Sequence, residues 1–119
     1  MEAWTQTKME DVVDRLILEK EQEWIRNNIA KLDRLTDLQR NVIRLIYQYE
    51  KIQCLHVRGI SQRLGCSAMA VTKVLKKLKK LGITKTVNQQ EAKNYLKKYV
   101  RLNWEYESWV RVVLNKINS

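Results

Sequence analysis

The stretch Ile60 to Ile83, ISQRLGCSAMAVTKVLKKLKKLGI, leaves a chain few ways to fold. Ile60 and Leu64 share one face of a short helix, which the permissive backbone of Gly65 can end. Ser67 follows as an N-cap, its hydroxyl placed to accept an orphan amide hydrogen of the next helix. In that helix Val71, Val74, Leu75 and Leu78 recur at i, i+3, i+4 and i+7 as one apolar stripe, and Met69, Lys73, Lys76 and Lys80 take the opposite face. A short helix, a glycine turn and a Ser-capped basic amphipathic helix make a helix-turn-helix pattern, whose second helix ordinarily enters the major groove of duplex DNA.

Little interrupts helices elsewhere, because proline is absent and glycine occurs only at 59, 65 and 82. A length of 119 residues suits one modest core. From Met9 to Leu32 the spacing predicts a long helix, with Met9, Val13, Leu16 and Ile17 as one apolar patch and Trp24, Ile25, Ile29 and Leu32 as another. One small domain rarely supplies enough core for both patches, so the surplus points to a partner helix from a second copy. Thr36 with Gln39 forms a capping box opening the next helix, whose inward face is Leu38, Val42, Leu45, Ile46 and Tyr49. Ile52 to Leu55 is a candidate small strand before a helix from Val57 to Leu64.

Beyond the basic helix, Gly82 suits a left-handed C-cap and Ile83 to Val87 reads as a strand, rich in β-branched residues. Asn88 to Glu91 suits a hairpin tip, and a second strand is expected from Asn94 to Leu102, with Leu96, Val100 and Leu102 on one side. A hairpin directly after such a helix is a wing. Asn103 then caps a final helix with a stripe of Tyr106, Val110, Val113 and Ile117, while Trp104, Trp109 and Val112 add apolar surface. The expected fold is mainly α with a small β-hairpin wing, a single winged helix-turn-helix domain over 1–119. Within it 36–102 is the core, and the helices of 9–33 and 103–118 form a dimer interface through Val13, Leu16, Trp24, Ile25, Ile29, Trp104, Trp109, Val113 and Ile117.

Charge points to the partner. The formal net charge is +10, and the segment Ser67 to Arg101 carries nine lysines and one arginine against the single acid Glu91. That concentration on the second helix and the wing marks a polyanion surface. The residues expected at double-stranded DNA are Ser67, Ala68, Met69, Ala70, Thr72, Lys73, Lys76, Lys77 and Lys80 of the helix. The wing is expected to add Lys85, Asn88, Gln89, Gln90, Lys93 and Lys97.

Other chemistry finds little footing. Cys54, His56 and Cys66 are the candidate soft metal ligands or thiol sensors, but C-x-H-x9-C matches no standard zinc spacing and a structural zinc takes four ligands. Neither a metal nor a cofactor is expected. No phosphate loop, nucleophile elbow or paired-carboxylate constellation is present, so an enzyme is not expected. No apolar run is long enough to span a bilayer, and MEAWTQTKMED lacks the order of a signal peptide, so a cytoplasmic protein without membrane contact is expected.

From Leu35 to about Asn103 the order of signals resembles the MarR family of winged-helix regulators. Leu35-Thr36 with Gln39 and Val42 resembles that family's helix opening. Ile60 to Leu64, Gly65, Ser67, Val71-Thr72, Leu75, Leu78 and Gly82-Ile83 resemble its helix-turn-helix running into the first wing strand, and Val100 to Asn103 the end of the second. The resemblance implies a homodimer held by its terminal helices on a pseudopalindromic site near a promoter. The family's small-molecule pocket, and an effector for it, stay open for this chain. Two features depart from the pattern: the tip NQQEAK lacks the acidic-then-arginine order, and one C-terminal helix fits where the family usually has two. The expected function is a sequence-preferring transcriptional regulator, most simply a repressor. The rival is an architectural or plasmid-partition protein with little sequence choice, since the first reader positions hold no arginine, asparagine or glutamine.

Overall fold

In the computed structural model the chain divides into two units, Met1–Arg34 and Leu35–Ser119. The structure describes residues 15–118 apart from 17, 54, 93 and 94, and of 89–92 and 95–97 only the backbone.

In the first unit, residues 18–28 are α-helical (α1) and Ile29–Arg34 form a 3-10 helix. The expected α-helix to Leu32 therefore ends early. Asn28 Nδ2 donates to the Trp24 carbonyl at 2.7 Å, so a side chain competes for a backbone acceptor where the coil tightens. Met9, Val13 and Ile17 lie outside the described residues.

The second unit is built on α2 (Asp37–Tyr49). Thr36 Oγ1 accepts from the Gln39 amide at 3.2 Å and Gln39 Oε1 accepts from the Thr36 amide at 2.9 Å, the reciprocal capping box. Val42, Ile43 and Ile46 are fully buried, and α2 packs against α3 (Val57–Leu64), α4 (Ala68–Lys80), strand β2 (Tyr95–Leu102) and α5 (Glu107–Asn118). Each such side chain contributes about 1.5–3 kcal/mol by leaving water. The helix-turn-helix, α3 and α4, is thus held from behind.

Both helix ends close as their glycines dictate. Gly65 takes φ 66° and the Cys66 amide donates to the Ser61 carbonyl at 3.1 Å. Gly82 takes φ 72°, with Gly82 N–H bonded to Lys79 O and Ile83 N–H to Leu78 O, both at 3.0 Å. This is a Schellman motif, with Leu78 and Ile83 buried as its apolar pair.

Three expectations need correction. Of the expected strand Ile52 to Leu55, the described residues give only a single bridge, Leu55 with Val100, because the Ile52 and Gln53 amides are spent on the Tyr49 carbonyl. Strand β1 runs Thr84–Ala92 and pairs with β2 from Thr84↔Leu102 to Ala92↔Tyr95, irregular between Gln90 and Ala92. Asn88, Gln89 and Gln90 therefore lie in the ladder opposite Lys98, Lys97 and Leu96 instead of forming the tip, since the backbone of β2 needs partners along its length.

The third concerns the last helix. Asn103 makes no side-chain cap; its amide donates to the Ile83 carbonyl at 2.9 Å, and a 3-10 turn, Trp104–Tyr106, precedes α5. Val110, Val113 and Ile117 keep the expected helical phase, and only Tyr106, which falls in that turn, leaves the stripe. The buried stripe is Trp109, Val110, Val113, Leu114 and Ile117, and Tyr106 is left exposed.

Candidate nucleic-acid interface

Helix α4 separates its two faces. Val71, Val74 and Leu78 are buried, while Ser67, Ala68, Met69, Thr72, Lys73, Lys76, Lys77, Lys79 and Lys80 are exposed and Ala70 is half-buried. Its N-terminus is fixed by Ser67, whose hydroxyl accepts from the Ala70 amide at 3.1 Å. No acidic residue occupies the first turn, so the positive end of the helix dipole stays free for an anion. Five lysines on one exposed helix with no acid among them cannot be neutralised from within the helix, and a polyanion is the complementary partner.

The outward face is graded along its length. Near the start stand Met69, at 71% exposure, Thr72 and Lys73; Lys76, Lys77 and Lys80 follow toward the C-terminus. Thr72 Oγ1 donates to the Ala68 carbonyl at 2.9 Å, which fixes its hydroxyl against the helix. Arg58, the second residue of α3, is a further exposed cation outside the basic segment Ser67 to Arg101. Arg63 is otherwise engaged, donating to Gly59 O at 3.2 Å and lying 4.9 Å over the Tyr49 ring.

The wing adds exposed cations on both of its faces. Lys98 and Arg101 are exposed on β2 and Asn88 on β1, whereas Gln89, Gln90 and Lys97 are placed here by backbone register alone, and Lys93 lies outside the described residues. Lys85 is not free: its Nζ sits 3.2 Å from Glu105 Oε1. An exposed pair of this kind contributes about 0–1 kcal/mol and yields readily to a competing phosphate.

The residues expected at a dimer interface fall into two groups. Leu16, Trp24 and Ile29 are exposed and Ile25 is half-buried, in the first unit. Trp109, Val113 and Ile117 are instead buried within the chain, with Trp109 Nε1 donating to the Leu81 carbonyl at 2.8 Å. Trp104 is half-buried, its indole donating to Glu50 Oε1. The apolar surface of α5 is largely consumed inside the chain.

His56 serves the helix-turn-helix as a cap. Its Nδ1 accepts from the Gly59 amide at 2.8 Å, and Cys54 lies outside the described residues. Among the described residues no group of three or more His, Cys, Asp or Glu side chains is placed to hold a metal, and no helix is long and apolar enough to cross a membrane.

No family model and no curated protein matches the sequence. Solved structures do. The chain is similar to Staphylococcus aureus MepR, a transcription regulator of the multidrug efflux pump MepA, at 15% identity and TM-score 0.56, covering 91% of this chain and 76% of that one. A MepR variant bound to an oligodeoxyribonucleotide is similar at 15% identity and TM-score 0.58, over 92% and 76%. The adhesin competence repressor of Streptococcus pyogenes reaches 23% identity and TM-score 0.54, over 85% and 73%. These are winged-helix regulators of the MarR family, and at such identities the likeness establishes the fold.

Proposed function

With a MarR-type winged helix as the premise, we propose that the chain is a sequence-preferring, double-stranded-DNA-binding transcriptional regulator, a homodimer that represses by occluding a promoter in the cytoplasm. One observation carries the reading. The exposed face of α4 is wholly basic, small or apolar, projects away from the helix-turn-helix core, and is followed directly by a cationic wing. In this reading Ser67, Ala68, Met69, Ala70, Thr72 and Lys73 face base edges, and Lys76, Lys77 and Lys80 face phosphates. The wing, with Lys85, Lys93 and Lys97, follows the flanking backbone, and Asn88, Gln89 and Gln90 lie along its ladder. Binding of an oligodeoxyribonucleotide by the MepR variant supports it.

The homodimer in this proposal rests on the first unit, where Leu16, Trp24 and Ile29 stand exposed. Segments 9–33 and 103–118 flank the core in that arrangement. A second reading, an architectural protein with little sequence choice, is favoured by the lack of arginine, asparagine or glutamine on the first exposed turns of α4. Fluorescence anisotropy with duplex DNA at moderate salt tests binding itself, and footprinting on genomic DNA separates the two. A few protected sites support the regulator; continuous coverage supports the architectural protein. Absence of binding at moderate salt would dismiss both.

A further inference from the structure

The base-reading end of α4 is more selective than its composition suggests, because one of its two polar groups has a fixed hydrogen-bonding sense. A threonine hydroxyl has one hydrogen and two lone pairs. The Thr72 hydrogen is already given to the Ala68 carbonyl at 2.9 Å, one turn back, so the atom presents lone pairs to its surroundings. Thr72 is exposed, and Met69, the most open large apolar side chain of the helix, lies three residues before it on the same face. Lys73, also exposed, completes the cluster as a donor without acceptors.

Placed in a major groove, these three groups have different complements. An acceptor-only hydroxyl requires a base amine, which adenine offers at N6 and cytosine at N4; guanine and thymine offer that edge only acceptors. An exposed methionine favours a thymine methyl, which a G·C pair lacks. Adenine N6 and the thymine methyl belong to the same base pair, so neighbouring acceptor and apolar groups together select A·T over G·C at one position. Lys73 complements guanine O6 and N7 at an adjacent step.

We propose that Thr72 is the specificity-determining residue of this helix: an acceptor-only reader that, with Met69, selects one A·T pair in each half-site. This rests on α4 being the groove-entering helix of a DNA-binding protein, the reading given above.

The test selects a randomised duplex pool with the full chain, with Thr72→Val, and with Thr72→Ser as the variant that restores the hydroxyl. The wild type should enrich sites with a fixed A·T position, and Thr72→Val should lose roughly tenfold of the preference there, low in the range for base contacts, while Thr72→Ser regains it. On the best site, replacing that adenine by purine, which removes only N6, should weaken the wild type and leave Thr72→Val unaffected. Replacing its thymine by uracil should weaken the wild type and leave Met69→Ala unaffected. If Thr72→Val binds and keeps every base preference, the inference falls while the DNA-binding reading stands. If the wild type enriches nothing and binds no duplex, the reading falls and the inference with it.

Discussion

Glu50 shows how one side chain fastens distant parts of the unit that carries the wing. It sits half-buried at the end of α2 and accepts from the Leu102 amide at 3.2 Å and from Trp104 Nε1 at 2.5 Å. Substitution by glutamine keeps the shape and removes one acceptor, leaving an amide NH2 facing a donor. Glu50→Gln should therefore lose about 1–3 kcal/mol of stability and shift Trp104 emission, read by denaturant unfolding with intrinsic fluorescence. Gly65 offers a contrasting case. A Cβ there meets nothing within 4 Å, so the penalty is purely the left-handed backbone at φ 66°. Gly65→Ala should cost roughly 1 kcal/mol and Gly65→Asn visibly less in thermal unfolding, since asparagine tolerates that region. A loss as large with asparagine would mean that the turn needs more than its backbone angle.

Among the elements, those set by short-range rules were legible from the residues. The capping box of Thr36 with Gln39, the cap Ser67 and the two glycine closures each involve partners only a few residues apart, so spacing alone finds them. The wing tip and the start of α5 were not. The pairing of Asn88 with Lys98 depends on register between two strands, and α5 starts late because Trp104 is held by Glu50, 54 residues away. Trp109, Val113 and Ile117, expected at a dimer interface, are buried within the chain, while the basic face of α4 was plain because charge and period coincide on one helix. Lys76 and Lys80, placed for phosphates in the proposed function, give an element-level prediction. Either change to alanine should weaken binding to specific and random duplex alike and lower the slope of log affinity against log salt by about one unit. A loss confined to the specific site would place these lysines on bases. Glu105→Gln, which releases Lys85 from its 3.2 Å pair, should tighten binding to all duplexes slightly and change stability by under about 1 kcal/mol.

For the whole molecule, the exposed Leu16, Trp24 and Ile29 of the first unit motivate the dimer. Sedimentation should give twice the chain mass of 14.3 kDa, and Trp24→Asp with Ile29→Asp should return it to a monomer, because an unpaired carboxylate in an apolar interface costs several kcal/mol. A single-chain mass for the wild type at micromolar concentration would remove the dimer and the paired half-sites together. In the proposed function, pairing of two half-sites by the dimer would also set how selective the protein is. The reader face offers no bidentate side chain, each of which would add about 1–3 kcal/mol of discrimination. What remains is one lysine, a threonine acceptor, an apolar methionine contact, and the spacing and shape of two half-sites, which favour A·T-rich duplex about one helical turn from centre to centre. Phosphate attraction from a net charge of +10 raises affinity for every sequence equally and so dilutes these preferences. The gap between the best site and scrambled duplex at matched salt should lie near the low end of the usual range of about 10³–10⁷. Titrating one protein stock against both duplexes decides it: a ratio above about 10⁵ would mean that bases are read elsewhere, with Asn88, Gln89 and Gln90 of the wing the first residues to replace.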